Sequence, residues 1–216
     1  MDRQSFYNQR ENYQMGGTRK EYVLSLVPEG TKTVLDIGCG NGELAEALRD
    51  KGCRVTGVDI SEKAVEEAKK FLDDSFCFDI EKENWPEELL SKKFDLVIAS
   101  EVVEHIFDPV IFMKKIKHLL KTDGKVIITT PNILFWKNRF KILFGKFQYE
   151  NKGIMDYGHI RFFTASTIMA FFKKSGFRVV KEKNFYPNLY KRGLNFIGRI
   201  FPGFFAYQLI FLLSNE

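Results

Sequence analysis

Aspartates stand at the ends of three successive predicted strands, and the first is followed by a glycine-rich turn. Asp36 precedes the run 38–42, which reads Gly-Cys-Gly-Asn-Gly, and Asp59 and Asp79 end the next two strands. Glycines in such a turn let a ligand approach the backbone where a side chain would clash. Because Glu43 stands where the dinucleotide fingerprint GxGxxG needs its third glycine, the turn does not predict a dinucleotide site.

The charge of Asp36 narrows the choice of ligand. A carboxylate beside the turn would repel a pyrophosphate and attract a cation. S-adenosylmethionine carries a sulfonium and an ammonium and no phosphate, so Asp36 can hold its amino group directly or through water. Asp59 can accept both ribose hydroxyls, and Asp79 can face the adenine amino group. Each feature alone also has a purely structural explanation: the glycine turn as a tight connection, Asp59 as a helix cap and Asp79 as a solvated strand end. Their occurrence together and in this order favours a cofactor site.

From Val34 to about Thr130 the chain carries four motifs in order, VLDIGCGNG, VTGVDIS, FDLVIASEVVEHI and LLKTDGKVIITTPN, with Asp79 and Ile80 between the second and third. Together they resemble the class I S-adenosylmethionine-dependent methyltransferases. The resemblance implies an α/β, doubly wound Rossmann-like fold with a seven-stranded, mostly parallel sheet and an antiparallel last strand. It implies S-adenosyl-L-methionine as cofactor, with contacts at strand ends: Asp36, Gly38, Cys39, Gly40, Asp59, Ile60, Asp79, Ile80, Ser100 and Glu101.

Two of the three histidines are candidate catalytic bases. His105 follows the fourth predicted strand, at the edge where such sheets bind ligands. His159 lies in the segment 156–164, DYGHIRFFT, which resembles a His-x-Arg-Phe stretch of methyltransferases from quinone, methionine-pathway and cell-surface glycan clusters. We expect Asp156 to orient His159, and Tyr157 and Arg161 to contact the acceptor. The alternatives are loop packing for His105 and a bond to a backbone carbonyl for His159.

No metal site is predicted. Glu101, Glu104 and Asp108 surround one loop and could bind a divalent ion, but three acids in such a loop are more often solvated. The third histidine, His118, lies late on a helix beside lysines and is expected at the surface. The three cysteines have no CxxC spacing, which favours reduced thiols in a cytosolic protein.

The elements that must position these residues follow a regular order. Short β-branched runs alternate with helical patterns, which predicts parallel strands at 33–37, 54–59, 75–79, 94–99 and 125–130, then two last strands at 177–184 and 207–213. Helices are expected after the caps Ser61, Asp108 and Thr164. We expect residues 1–216 to form a single methyltransferase domain, with residues 1–30 as an N-terminal lid and residues 131–163 as a substrate cap.

The acceptor is the least specified part of the prediction. We expect methyl transfer, by preference to oxygen, on a small-molecule or lipid-linked acceptor. The net charge of +5 and isoelectric point near 9.0 keep a nucleic-acid methyltransferase as an alternative, but the fourth strand ends in Ser-Glu-Val-Val rather than the Asp/Asn-Pro-Pro-aromatic motif, which argues against nucleic acid. A non-catalytic S-adenosylmethionine-binding accessory protein is the second alternative.

A cytoplasmic location is expected, with a further hypothesis of peripheral contact between the cap and an anionic membrane. No apolar run reaches the roughly 20 residues that span a bilayer. Placed on a helix, apolar residues of the cap form one stripe with basic residues beside it. The stripe comprises Ile133, Trp136, Phe140, Leu143, Phe144 and Phe147, and the basic residues are Lys137, Arg139, Lys141 and Lys146. The alternative is a lid packed on its own core.

Overall fold

Seven strands form one sheet in the computed structural model, which describes residues 2–9, 17–187, 196 and 200–216. The sheet order is β3-β2-β1-β4-β5-β7-β6. The strands are β1 Thr33–Ile37, β2 Arg54–Asp59, β3 Asp74–Cys77, β4 Phe94–Ser100, β5 Leu120–Pro131, β6 Phe177–Glu182 and β7 Gln208–Asn215. Strands β1 to β5 pair in parallel, and β7 is antiparallel to both β5 and β6. The predicted fold class is confirmed.

Helices cover both faces of the sheet. Their bounds are α1 Arg3–Gln9, α2 Gly17–Leu24, α3 Glu43–Arg49, α4 Glu62–Ala68, α5 Glu87–Leu90, α6 Pro109–Leu119, α7 Trp136–Leu143, α8 Ala165–Lys174 and α9 Pro202–Phe205. The predicted caps are present: Ser61 Oγ accepts from Ala64 N, Asp108 Oδ1 accepts from the first turn of α6, and Thr164 forms a capping box. Each satisfies backbone N–H groups that a helix start leaves without partners.

Successive residues of a strand point to opposite faces of the sheet and pack into two separate hydrophobic cores. In β1, Val34 faces a cluster that includes Val23, Leu44 and Leu48, so α2 and α3 lie on that side. The neighbouring Leu35 and Ile37 belong to the larger cluster built with α5, α6 and α8. Because the sheet is buried on both faces, its strands read as nearly continuous apolar runs.

The structure shifts several predicted boundaries. Strand β3 ends at Cys77, so Asp79 lies in the turn after it rather than on the strand. In the cap, the helix spans only Trp136–Leu143, and turns and bends make up most of the return to α8. The stretch 183–215 lacks acidic residues and predicts a second apolar and basic surface around Lys191, Arg192 and Arg199, and these three residues lie outside the described ones.

Candidate active site

The glycine turn after β1 is bonded to the neighbouring strand. Gly38 N and Cys39 N both donate to Val58 O, at 2.7 and 3.1 Å. Gly38 and Gly40 have φ values of 74° and 54°, in the left-handed region that favours glycine. The turn therefore needs glycine for its conformation, in addition to any need for close approach by a ligand.

Asp59 joins this turn to the start of α4. Its Oδ2 accepts from Gly40 N at 2.9 Å, and its Oδ1 accepts from Ser61 N at 2.9 Å. Burial raises the pKa of Asp59, and these backbone donors oppose the rise. Each carboxylate oxygen keeps a second lone pair, so the carboxylate is fixed in place and able to accept hydroxyl groups.

Asp36 is a buried acid, and one of its carboxylate oxygens lacks a hydrogen-bond partner among the described residues. The residue is 2% exposed, and its Oδ2 forms no hydrogen bond to a described residue. Burial, followed by repulsion from Asp59, raises the pKa of Asp36 to about 7. A cationic group placed here would supply both the missing partner and the compensating charge. The ammonium of S-adenosylmethionine fits these requirements.

One cavity of about 620 Å³ lies over the carboxyl ends of the strands. All ten residues predicted to contact the cofactor line it: Asp36, Gly38, Cys39, Gly40, Asp59, Ile60, Asp79, Ile80, Ser100 and Glu101. The cap contributes Tyr157 and His159 to the same cavity, and the loop after β4 contributes His105. The predicted cofactor residues and both candidate bases therefore face a common space.

The end of β4 carries local backbone strain. Among the described residues, Glu101 alone of the non-glycines has a positive φ, at 58°. Its backbone N donates to Thr129 O at 3.1 Å, and its side chain lies 3.5 Å from the guanidinium of Arg19. Arg19 is only 8% exposed and lines the cavity, yet the sequence prediction missed it. Its place beside Lys20 and Glu21, in the polar first half of α2, gave no signal of burial.

The two candidate bases are neighbours. Their ring centroids are 4.8 Å apart. His159 Nδ1 lies 2.9 Å from Ile154 O, and His105 Nδ1 lies 2.7 Å from Gly158 O and 3.1 Å from the Tyr7 hydroxyl. The acceptor at His159 Nδ1 is thus a backbone carbonyl, in place of the Asp156 carboxylate that the sequence suggested. Asp156 Oδ1 instead accepts from Gly158 N at 2.7 Å.

Glu104 differs sharply from the expected solvated acid. It is 1% exposed, and neither carboxylate oxygen forms a hydrogen bond to a described residue. Burial and the nearby Glu101 carboxylate raise the pKa of Glu104. The loop of Glu104 is tied to the cap, because its carbonyl accepts from Ile160 N and Arg161 N, both at 3.0 Å. Asp108, by contrast, is exposed and caps α6.

Arg161 does not join the residues lining the cavity. Its guanidinium donates to Phe107 O and lies 5.7 Å from the centre of the Phe107 ring. His118 is exposed on α6, as expected. The helix α1 covers part of the cavity: Arg3 donates to Asp79 Oδ1 at 3.1 Å and to His105 O at 2.7 Å.

Comparison with known proteins identifies the family of this chain. The family described as "Methyltransferase domain" matches residues 7–182. The chain belongs to this methyltransferase family. The ubiquinone biosynthesis O-methyltransferase of Coxiella burnetii is 31% identical over 173 residues, which cover 75% of this chain and 70% of that protein. The protein of the same name from Bradyrhizobium diazoefficiens is 40% identical over 116 residues, covering 51% and 44%.

Solved structures show the same fold. A methyltransferase from Mesorhizobium loti described as S-adenosylmethionine dependent superposes with a TM-score of 0.65 at 18% identity, covering 93% of this chain and 99% of that one. Magnesium protoporphyrin IX methyltransferase from Synechocystis gives 0.66 at 18% identity, covering 99% and 98%. The family match, together with these structures, confirms the predicted membership of the S-adenosylmethionine-dependent methyltransferases and their cofactor. Within the described residues, no helix of this methyltransferase is long and apolar enough to cross a membrane.

Proposed function

We propose that this methyltransferase methylates an oxygen atom of a small-molecule or lipid-linked acceptor, and that cofactor and acceptor meet in the cavity above the strand ends. The observation that carries the proposal is the shared lining of this cavity. Asp36, Gly40 and Asp59 line it, and so do His105 and His159. A methyl donor bound by the first group would therefore share one cavity with the two histidines.

The cofactor side is assigned by matching charges and donors. Asp36 takes the ammonium, which supplies its missing partner. Arg19 provides the positive charge that the carboxylate of the methionine part requires. Asp59 accepts the ribose hydroxyls through lone pairs that Gly40 N and Ser61 N leave available. Asp79 and Ile80 face the adenine.

The acceptor side supplies a base. Bound S-adenosylmethionine provides an electrophilic methyl group on sulfur, so transfer is an in-line displacement in which the acceptor oxygen forms the new bond and sulfur keeps the electron pair. Most of the rate enhancement comes from holding the two reactants in line. His159 Nδ1 donates to Ile154 O, which leaves Nε2 to take the hydroxyl proton. His105 is the second candidate, and Tyr157 contacts the acceptor.

The choice of oxygen is supported by the similarity to the ubiquinone biosynthesis O-methyltransferases, whose name states O-methylation. We also propose that residues 1–30 act as a lid and residues 131–163 as a substrate cap within one domain. Support for this division comes from α1, which places Tyr7 over the cavity, and from the cap residues Asn151, Tyr157 and His159 that line it. Nucleic acid is not the proposed acceptor.

The cap is also proposed to contact lipid. Helix α7 buries Asn138 and turns Phe140 and Leu143 outward, followed by exposed Phe144 and Phe147. Burial of this stripe against the core of the protein, the alternative to lipid contact, therefore does not account for these four side chains. Lys137, Arg139, Lys141 and Lys146 lie among them and would favour an anionic surface.

A labelled-methyl transfer screen tests the function. The full chain is incubated with methyl-labelled S-adenosylmethionine and separate pools of lipid extract, phenolic small molecules, sugar nucleotides and RNA. We expect label in an acid-stable, base-stable ether of a hydroxylated small molecule or lipid. Label in RNA would contradict the choice of acceptor, and cofactor binding without label in any pool would favour an accessory protein.

A further inference from the structure

The residues proposed to face the adenine lie in a loop that contains no strand or helix. Residues 78–86 connect β3 to α5, and Phe78, Asp79 and Ile80 at the start of this loop line the cavity. A loop of this kind lacks the regular backbone hydrogen bonds that fix a strand or a helix. Its conformation must therefore be fixed by contacts with other parts of the chain.

The indole of Trp85 holds the backbone of this loop from the core side. Trp85 is 4% exposed and belongs to the larger of the two cores. Its Nε1 donates to Ile80 O at 2.9 Å, and its ring packs edge-on against Phe78 with 5.6 Å between the centroids. Because a buried indole N–H can only donate, it needs an acceptor, and Ile80 O is that acceptor. One side chain outside the cavity thus contacts two residues that line it.

Lys115 of α6 holds the same loop at the next two carbonyls. Its Nζ donates to Lys82 O at 2.7 Å and to Glu83 O at 3.3 Å. The ammonium also lies 5.3 Å from the centre of the Trp85 ring, so a cation–π contact joins the two side chains. The loop is therefore fastened at three carbonyls by two side chains that do not line the cavity.

The Asp79 carboxylate is oriented by the peptide that Trp85 holds. Asp79 Oδ1 accepts from Glu81 N at 3.0 Å and from Arg3 at 3.1 Å. Since these donors use both lone pairs of Oδ1, Oδ2 is the oxygen left for the amino group of adenine. Glu81 N and Ile80 O belong to one peptide group, which is planar and rigid. The indole and the carboxylate are thus bonded to opposite ends of the same plane.

We propose that Trp85 is a positioning residue for adenine recognition. It acts through the peptide between Ile80 and Glu81, which directs the Asp79 carboxylate at the amino group of the adenine. The inference rests on the proposed function, in which Asp79 faces the adenine. Phenylalanine in place of Trp85 would keep most of the buried apolar surface and remove the N–H, so the peptide could rotate and the carboxylate would lose its fixed direction. Lys115 contributes less, because it holds only the carbonyls that follow.

Discrimination between two ligands tests the role of Trp85. Calorimetry on the full chain compares S-adenosylhomocysteine with S-inosylhomocysteine, in which a carbonyl oxygen replaces the amino group and would face Asp79 as a second acceptor. We expect the wild type to bind S-adenosylhomocysteine about tenfold more tightly, since the other ligand loses a hydrogen bond to a charged group. Trp85→Phe should lower this ratio about fivefold, and Lys115→Met about twofold. Trp136→Phe, on α7 and outside the cavity lining, changes the other tryptophan and should leave the ratio unchanged.

A purely structural role for Trp85 predicts a different result. Loss of packing would lower the melting temperature and weaken both ligands by the same factor, so an unchanged ratio in Trp85→Phe overturns the proposal. If that variant fails to fold, nuclear magnetic resonance of the wild type decides. The indole N–H signal of Trp85, assigned with the help of Trp136→Phe, should shift with adenosine and not with homocysteine, and no shift with adenosine contradicts the proposal.

The wild type separates this inference from the proposed function. A chain that binds both ligands equally refutes adenine recognition by Asp79, and with it the role of Trp85, while leaving cofactor binding intact. A chain that binds neither ligand counts against the proposed function itself.

Discussion

The parts of the cavity that we propose for the cofactor and for the acceptor, the cofactor end and the acceptor end, are built in different ways. At the cofactor end, short loops directly after β1 and β2 hold the key groups, and one carboxylate, Asp59, joins both loops through Gly40 N and Ser61 N. At the acceptor end, the partners are far apart in the chain. His105 meets the carbonyl of Gly158, and the Glu104 carbonyl accepts from Ile160 N and Arg161 N in the cap.

This difference suggests which end tolerates change. The cofactor end depends on backbone conformations that only particular residues adopt, so a single substitution can destroy it. The acceptor end depends on how the cap docks against the β4 loop, through carbonyl contacts that many sequences can make. We therefore expect substitutions to separate cofactor binding from turnover, and each prediction below tests that separation.

The largest effect is expected for Gly40→Val. A β-branched residue is strained at φ 54°, and the change would displace the N–H that holds Asp59. Cofactor binding should fall below detection by calorimetry with S-adenosylhomocysteine. Gly52→Val is the matched control, because Gly52 has φ 82° and lies outside the cavity lining. Equal loss of binding in both variants would mean that general destabilisation, rather than the turn, is responsible.

The second-largest effect is expected on the turnover rate and not on cofactor binding. His159→Ala is expected to lower the rate by about a hundredfold, the range for loss of a general base, while changing the affinity for S-adenosylhomocysteine less than twofold. The residue belongs to the cap and makes none of the contacts of the glycine turn. His118→Ala should keep the full rate. A normal rate in both His159→Ala and His105→Ala would leave positioning as the source of catalysis.

The cofactor end could be predicted from sequence because its elements are local. Two strand bounds, 33–37 and 54–59, were predicted as the structure has them, and the caps Ser61, Asp108 and Thr164 were identified from side-chain chemistry. Once strand ends are known, parallel pairing brings their loops to one edge of the sheet. The ten residues carried over by resemblance accordingly all line one cavity.

The acceptor end could not be predicted in the same way. Burial of Glu104 and Arg19 results from the docking of the cap and the N-terminal helices, which no local pattern encodes. Spacing suggested Asp156 as the partner of His159 Nδ1, but the chain turns so that Ile154 O occupies that place. Arg161, expected in the site, is held instead by Phe107 O. Contacts between distant segments depend on tertiary packing, which sequence spacing does not describe.

The affinity for S-adenosylmethionine should change about tenfold with pH, because Asp36 at the cofactor end titrates. The pKa of Asp36 is about 7 in the folded chain without ligand, because burial and Asp59 disfavour the carboxylate. A bound ammonium favours the ionised form, so binding below pH 7 must release a proton. Affinity for S-adenosylmethionine should rise about fivefold from pH 6 to pH 7 and about tenfold from pH 6 to pH 8, and then level off. Calorimetry in two buffers of different ionisation enthalpy measures this release.

The raised pKa of Asp36 also predicts the direction in which the stability of the folded chain changes with pH. An acid whose pKa is raised by folding binds its proton more tightly in the folded state, so the folded chain loses stability as pH rises from the ordinary value of 3.8 to about 7. Asp36→Asn should remove this part of the pH dependence and abolish the proton release. Cys39, the neighbouring thiol, has its pKa raised by burial and by Asp36, and stays neutral in this range. Persistence of the pH dependence in Asp36→Asn would assign it to another group.

The smallest effect concerns the outer surface of the cap. Leu143 and Phe144 are each 74% exposed, which is costly in water unless another surface covers them. Lys141 already pairs with Glu150 at 2.6 Å, so fewer charges are available to lipid than the sequence suggested. Each remaining lysine or arginine adds on the order of 1 kcal/mol of binding free energy near anionic lipid, which gives weak, salt-sensitive binding.

We therefore expect sedimentation with anionic vesicles to exceed that with neutral ones, and Phe144→Ser to reduce it several-fold. Val180→Ser on β6 is the control, since Val180 is an exposed apolar residue, at 52%, that lies outside the cap. Equal sedimentation with both vesicle types, or equal loss in both variants, would remove lipid as the partner of this surface. Turnover on a water-soluble acceptor should be unchanged by Phe144→Ser, because the side chain lies outside the cavity lining. That result would separate recognition by the outer cap from the chemistry beneath it.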